Sequence, residues 1–301
     1  MSDPQSDANG NRYHSVFRKT LFKGRKVLVT GGGSGIGRCI AHELAALGAH
    51  VIITGRKQDK LDTVKAEIVE DGGMVESHAF DIRDEEAVKE AMTAIVLNDM
   101  PVTGLVNCAG GQFPAPLEAI STKGFETVMR TNVVGAFTVS RELVTRSMKK
   151  TGGAIVNITA DFWNGMPTMG HSGASRAACD NFTKTAAVEW GQYGIRINSV
   201  APGWVASSGL DTYDNPAVKA LIPKLNQYVP LRRLATEAEI SSAVIFLLSE
   251  GANFISGASL RVDGAGSLHS PLWPMLKATN SESYQGFHRA ITPKVLSESE
   301  G

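Results

Sequence analysis

The sequence predicts an α/β fold: one doubly wound, Rossmann-like parallel sheet of about seven strands, with helices on both faces. Three observations predict it. Short apolar runs alternate with longer helical patterns from 26 to 262, as in a parallel sheet covered on both sides. A glycine-rich stretch joins the first apolar run to the first helical pattern. No repeat or interdomain linker divides the 301 residues, a length that one α/β domain can fill with a sizeable core.

Lys26-Val27-Leu28-Val29-Thr30 is short, rich in β-branched residues and ends in glycines, so it reads as a buried parallel strand. After the glycines a helix is expected at about 36–47 and a second strand at 50–54. The alternation continues with a helix near 57–70, strand 74–79, helix 84–97, strand 103–107, helix 123–149, strand 153–159, helix 172–190 and strand 195–200. A looser helical region covers about 205–228, then a helix at 237–249 and a last strand at 258–262. The ligand crevice is expected at the C-terminal ends of the strands, near the point where strand order reverses. Residues 1–20 read as a flexible arm, since their first dozen are polar. Residues 21–264 form the domain, and 265–301, with Pro271, Pro274 and Pro293, an extension.

Thirty basic residues balance thirty acidic ones, which gives no electrostatic footprint for nucleic acid or an anionic membrane. The three cysteines, Cys39, Cys108 and Cys179, lack metal-ligand spacing and read as small buried hydrophobes in a reducing compartment. No metal site is expected. No apolar run approaches the ~18 residues of a membrane span, no leader opens the chain, and Ser-Glu-Gly at its end is no peroxisomal address. A soluble cytoplasmic protein is expected.

Gly31-x-x-x-Gly35-x-Gly37 follows a strand and opens a helix, a context in which backbone N–H groups and a helix N-terminus can approach a pyrophosphate. The second strand ends Thr54-Gly55-Arg56-Lys57. An NAD site would carry an acid there for the ribose hydroxyls, whereas a 2′-phosphate needs a cation. Arg56, with Ser34 and Lys57 or Arg38 nearby, therefore favours NADP(H).

The Thr30–Gly37 turn, together with Asn107-Cys108-Ala109-Gly110 after the fourth strand, resembles the short-chain dehydrogenase/reductase superfamily, from about Val27 to Gly264. The resemblance implies further cofactor contacts. Gly31, Ser34, Gly35 and Ile36 would hold the pyrophosphate side. Asp81-Ile82 would touch adenine, and Asn107, Ala109 and Gly110 the ribose and nicotinamide. Pro202-Gly203-Trp204-Val205 would lie under the carboxamide, with Ser207 near the pyrophosphate. It also implies dimers or tetramers through the central helices.

Carbonyl-reducing members use Asn, Ser, Tyr and Lys. Asn132 matches the first, but counting back from Ser172 puts Ala160 at the serine position, and Ser172 and Arg176 replace the Tyr and Lys. A phenol near pKa 10 can be tuned by an adjacent cation, whereas an alkanol cannot. Arg176 keeps the charge for the nicotinamide ribose but does not deprotonate. Chemistry at alcohols is therefore disfavoured. Reduction of a C=C conjugated to a thioester needs only donors for the enolate oxygen and a water for carbon.

Gly110-Gly111-Gln112-Phe113 and His171-Ser172-Gly173-Ala174-Ser175-Arg176 resemble segments of peroxisomal trans-2-enoyl-CoA reductases. Asn157-Ile158-Thr159-Ala160 and Asp180 resemble peroxisomal-type 2,4-dienoyl-CoA reductases, where a Lys stands at the Arg176 position. The resemblance implies that Arg176 and Asp180 orient a catalytic water; a plain i,i+4 ion pair is the alternative. Ser172 either bonds substrate or caps the helix. His171 and Asp161 are further proton-donor candidates, although His171 just before a helix suits capping or packing better. Gln112, Phe113 and His171 are expected to border substrate under a 205–228 lid.

The leading expectation is thus an NADPH-dependent reductase of an α,β-unsaturated acyl thioester, an acyl-CoA. The alternatives are a dehydrogenase of acyclic terpenoid catabolism of the citronellol type, and a silent NADP-binding sensor or scaffold. All of this assumes no phenol at the reacting carbonyl; Tyr193 or Tyr213 reaching it would undo the argument.

Overall fold

Val27 and Val29 point to one side of the first strand, β1 (Lys26–Thr30), and Leu28 to the other, and all three are fully buried. Alternation between two cores explains why the run is apolar throughout rather than at every second residue. The computed structural model describes residues 12–97, 100–270, 272 and 274–297. Its sheet adds β2 (His50–Gly55), β3 (Met74–Ala79), β4 (Val102–Asn107), β5 (Gly153–Ile158), β6 (Ile195–Pro202) and β7 (Ser259–Val262). All pairings are parallel, in the order β3-β2-β1-β4-β5-β6-β7. The order reverses between β1 and β4, which opens a crevice beyond Thr30 and Asn107.

In chain order the helices are α1 (Gly35–Ala46), α2 (Gln58–Glu70), α3 (Glu85–Val96), α4 (Thr122–Met129), α5 (Gly135–Leu143), α6 (Lys149–Thr151), α7 (Gly170–Trp190), α8 (Pro216–Leu221), α9 (Glu237–Leu248) and α10 (Lys294–Ser297). One core joins Ile40 and Leu44 of α1, Leu61 of α2 and Ile240 and Val244 of α9 to the sheet. The other joins Val88 and Met92 of α3, Val139 and Leu143 of α5 and Ala186 of α7. Asp84 caps α3 through the amides of Glu86 and Ala87, and Thr236 and Glu239 close a capping box on α9. Among the described residues no helix is long and apolar enough to cross a membrane.

Three expectations need correction. The helix expected at 123–149 is interrupted by π turns at Arg130–Val134 and Val144–Met148. Helix α7 begins at Gly170, so His171 and Ser172 lie inside its first turn.

The third concerns the ends of the chain. Residues 1–11 of the expected arm lie outside the described residues, but from residue 12 the arm packs. Tyr13 is buried and donates to Glu43, and its ring stacks on Phe287. The C-terminal extension runs back along the domain. Arg233 bonds Ser281 and the Glu282 carbonyl, Tyr284 donates to the His14 carbonyl, and Arg289 pairs with Glu70 and Asp71. Farther along it, Asp211 accepts from the amides of Lys294 and Val295. Val295 and Leu296 then pack against Leu210, Ile222 and Leu225.

Candidate active site

A cleft of about 1000 Å³ lies at the C-terminal ends of the strands. Gly31 has φ +70°, and a Cβ there would come within 2.9 Å of the Ala109 backbone. A Cβ at Gly37 would run into the Gly31 carbonyl. Both glycines let α1 start tight against the sheet with its N-terminus toward the cleft. Thr30 Oγ1 accepts from the amides of Cys108 and Ala109 at 3.1 Å each, fixing the end of β4 beside that turn. Cys108 is half-buried, and desolvation pushes its thiol up to about 12.

Of the expected cofactor positions, Gly31, Ser34, Gly35, Ile36, Arg56, Asp81, Ile82, Ala109, Gly110, Arg176, Pro202, Gly203, Val205 and Ser207 all line this cleft. Asn107 does not. Its side chain is buried and donates to Ser140 and Asn157, tying β4 to β5 and α5. Arg38 is also turned away, held by Glu67 at 2.7 and 2.8 Å and by the Arg289 carbonyl. Lys57, Lys60 and Arg83 line the same cleft as Arg56 instead. Asp81 receives Arg83, which holds its carboxyl below the usual range.

The cleft fits a dinucleotide. A Cβ at Gly35 would meet nothing closer than 3.8 Å, leaving the cradle open. Arg176 Nε is a buried donor without a partner, while Nη1 of the same guanidinium bonds the Ile158 carbonyl at 2.7 Å. Burial pulls the Arg176 pKa below the usual value, and Arg176 lines the cleft, so a hydroxyl bound against the guanidinium there would add a partner to a cation short of one. A Cβ at Gly110 would lie 2.7 Å from Arg176 Nη2, so only glycine leaves the guanidinium its place.

Asn132 sits in the first π turn and grips the main chain of Gly111. Its Oδ1 accepts from the Gly111 amide at 2.9 Å, and its Nδ2 donates to the Gly111 carbonyl and to Ser175 Oγ. Asn132 thus fixes the loop that carries Gln112 rather than facing the cleft itself. Ser172 is fully buried and does not cap the helix. Its hydroxyl donates to Gln112 Oε1 at 2.6 Å, and Gln112 Nε2 donates to the Tyr213 hydroxyl at 3.2 Å. Gln112 and Tyr213 line the cleft; Ser172, Phe113 and His171 do not. His171 accepts the Ser172 amide at Nδ1, one of the N–H groups that a helix start leaves unpaired, and its ring meets Phe113 edge-on at 4.3 Å.

The expected Arg176–Asp180 pair does not form. Asp180 accepts from Ser199 Oγ at 3.1 Å and pairs with Lys184 at 2.7 Å. Each four-residue step along a helix advances about 40°, so Asp180, one step beyond the cleft-lining Arg176, turns toward β6. Asp161 does line the cleft, and burial and the nearby Asp263 raise its carboxyl pKa. Tyr193 packs in the α3/α5 core under Lys149. Tyr213 and Tyr228 are phenols lining the cleft; residue spacing assigned neither to it, because both sit in an irregular segment with no period to place them.

Residues 31–266 match the family described as enoyl-(acyl carrier protein) reductase. The chain is a short-chain dehydrogenase/reductase. This oxidoreductase is 35% identical to a mouse peroxisomal 2,4-dienoyl-CoA reductase, over 90% of this chain and 94% of that one. It is also 35% identical to a probable 2,4-dienoyl-CoA reductase of Bacillus subtilis, over 80% and 95% of the two chains. Among solved structures, a citronellol catabolism dehydrogenase of Pseudomonas aeruginosa PAO1 is 56% identical. It covers 85% of this short-chain dehydrogenase/reductase and 100% of its own length, with a TM-score of 0.77.

Proposed function

We propose that this oxidoreductase uses NADPH to reduce the C=C bond of an α,β-unsaturated acyl thioester. One observation carries the reading: where carbonyl-reducing relatives are expected to hold a tyrosine, Ser172 is buried with its hydroxyl committed to Gln112. Bound NADPH would supply hydride. The chain's own residues do the rest. Arg176 would hold the ribose side through its guanidinium, and Arg56 the 2′-phosphate. Leu210, Val218, Leu221, Ile222, Leu225 and Tyr228 give the cleft an apolar wall suited to an acyl chain. The dienoyl-CoA reductase relatives support the thioester.

The 56% identity to a citronellol catabolism dehydrogenase favours a second reading, an acyclic terpenoid substrate. The two coincide if the terpenoid arrives as its branched, unsaturated CoA ester.

Loss of NADPH absorbance is to be followed with crotonyl-CoA, longer enoyl- and dienoyl-CoA esters, a simple ketone and citronellal. Turnover of the thioesters and none of the ketone is expected. Ketone activity without thioester activity would overturn the proposal, and NADPH binding without any turnover would leave a sensor.

A further inference from the structure

We infer that Tyr213 donates the hydrogen bond that holds and polarises the substrate's carbonyl oxygen, in place of the tyrosine missing from α7. Three residues form a chain of donors ending at this phenol. Ser172 Oγ donates to Gln112 Oε1 at 2.6 Å, and Gln112 Nε2 donates to the Tyr213 hydroxyl at 3.2 Å. The phenol oxygen is therefore an acceptor toward Gln112. Among the described residues no acceptor takes its own proton, which is left for the cleft that Tyr213 lines.

Both ends of the chain are anchored. Ser172 is fully buried in α7. Tyr213 packs half-buried on Leu210, Ile222 and Leu225, two residues from Asp211, whose carboxylate caps α10. Gln112 is joined to the loop that Asn132 clamps at Gly111. A donor held at both ends needs little reorganisation as charge develops, the condition under which such groups stabilise an oxyanion most.

The step balances without a further reagent. Hydride adds to the far carbon of the C=C, the π pair moves toward the carbonyl, and the resulting enolate oxygen receives the Tyr213 hydrogen bond. Water then gives a proton to the α-carbon, the enolate collapses to the saturated carbonyl compound, and hydroxide is taken up by solvent. Tyr213 keeps its proton throughout, so it polarises the carbonyl without serving as the acid that alcohol chemistry needs; a phenol reaching the carbonyl undoes the C=C reading only if it gives that proton up. This inference rests on the proposed C=C reduction only for the identity of the carbonyl.

The test compares wild type with Tyr213→Phe, which keeps the ring and its packing, and with Gln112→Leu. Each is assayed on the substrate panel above, with NADPH affinity and binding of saturated butyryl-CoA measured separately. For any conjugated carbonyl compound that wild type reduces, Tyr213→Phe should lower kcat about 10²-fold, the size of losing one oxyanion donor, and raise KM only several-fold. NADPH affinity should be unchanged and butyryl-CoA binding several-fold weaker. Gln112→Leu should fall in the same direction by less. Unchanged kcat and butyryl-CoA affinity in Tyr213→Phe would overturn the inference whatever the substrate. A wild type that spares every thioester but reduces another conjugated carbonyl would instead overturn the proposed substrate, and the Tyr213→Phe ratio on that compound would still decide the phenol's role.

Discussion

Glu237 stands in the first turn of α9 with its Oε1 3.8 Å from the place a Gly35 Cβ would occupy. Burial pushes its carboxyl up to about 7, opposed in part by Arg38; Cys39 and Cys108 are the other titratable groups within its field. Below that pH it is neutral beside the phosphate cradle, and above it a carboxylate repels whatever anion lies there. NADPH affinity should therefore fall about tenfold as pH rises past 7, the effect of ~1.4 kcal/mol between like charges, and Glu237→Gln should flatten that profile in a titration of cofactor fluorescence. The sign for stability is the same. The folded state keeps a proton that the unfolded chain loses from its ordinary value of 4.5, so Glu237 contributes stability that is lost as pH rises from 4.5 to about 7, and the glutamine variant removes that contribution.

Asp180 answers a different question. With its carboxylate on Ser199 and Lys184, Asp180→Asn should cost about 1–2 kcal/mol in urea denaturation and leave turnover near wild type. A loss of turnover near 10²-fold at normal stability would restore a water-orienting role.

Among the elements, the strands were the most legible part of the chain. Lys26–Thr30 falls at its expected bounds, because a run buried on both faces is apolar throughout and ends abruptly at glycine; Met74–Ala79, a half-buried edge strand, also falls at its bounds, marked by the Gly72-Gly73 turn before it. The central helix was read only as a helix. Its π turns keep helical dihedrals and an unbroken apolar pattern, so nothing in residue type marks the extra residue that places Asn132 on Gly111. Cofactor positions near glycine turns were legible for steric reasons. The Ser172–Gln112–Tyr213 chain was not, since it joins three elements far apart in sequence.

The turn between β2 and α2 makes a claim that can be checked alone. Arg56 lines the cleft while Arg38 is occupied by Glu67, so Arg56→Ala should weaken NADPH by roughly 10²-fold, the loss of one charge-assisted contact of ~3 kcal/mol. NADH binding should barely move. Equal losses for both cofactors, read by calorimetry, would remove the 2′-phosphate assignment.

At the scale of the molecule, the extension beyond β7 ties together parts that the sheet leaves independent. Phe287 is almost fully buried, 5.7 Å from the Tyr13 ring and 5.0 Å from His42 of α1, and the last turn meets the segment bearing Tyr213. Val295→Asp would place a charge among Leu210, Ile222 and Leu225. The KM for an acyl substrate should then rise roughly tenfold, ~1.4 kcal/mol of lost wall, with NADPH affinity unaltered; a KM that stays put would detach this turn from the cleft.

Because Asp211 fastens the turn at 294–297 only two positions from that phenol, this turn is mechanically part of the reaction chamber. A bulky label carried on residue 297 would tug on the chamber wall, so rates measured on such a conjugate should differ from those of protein labelled at an exposed position remote from the turn.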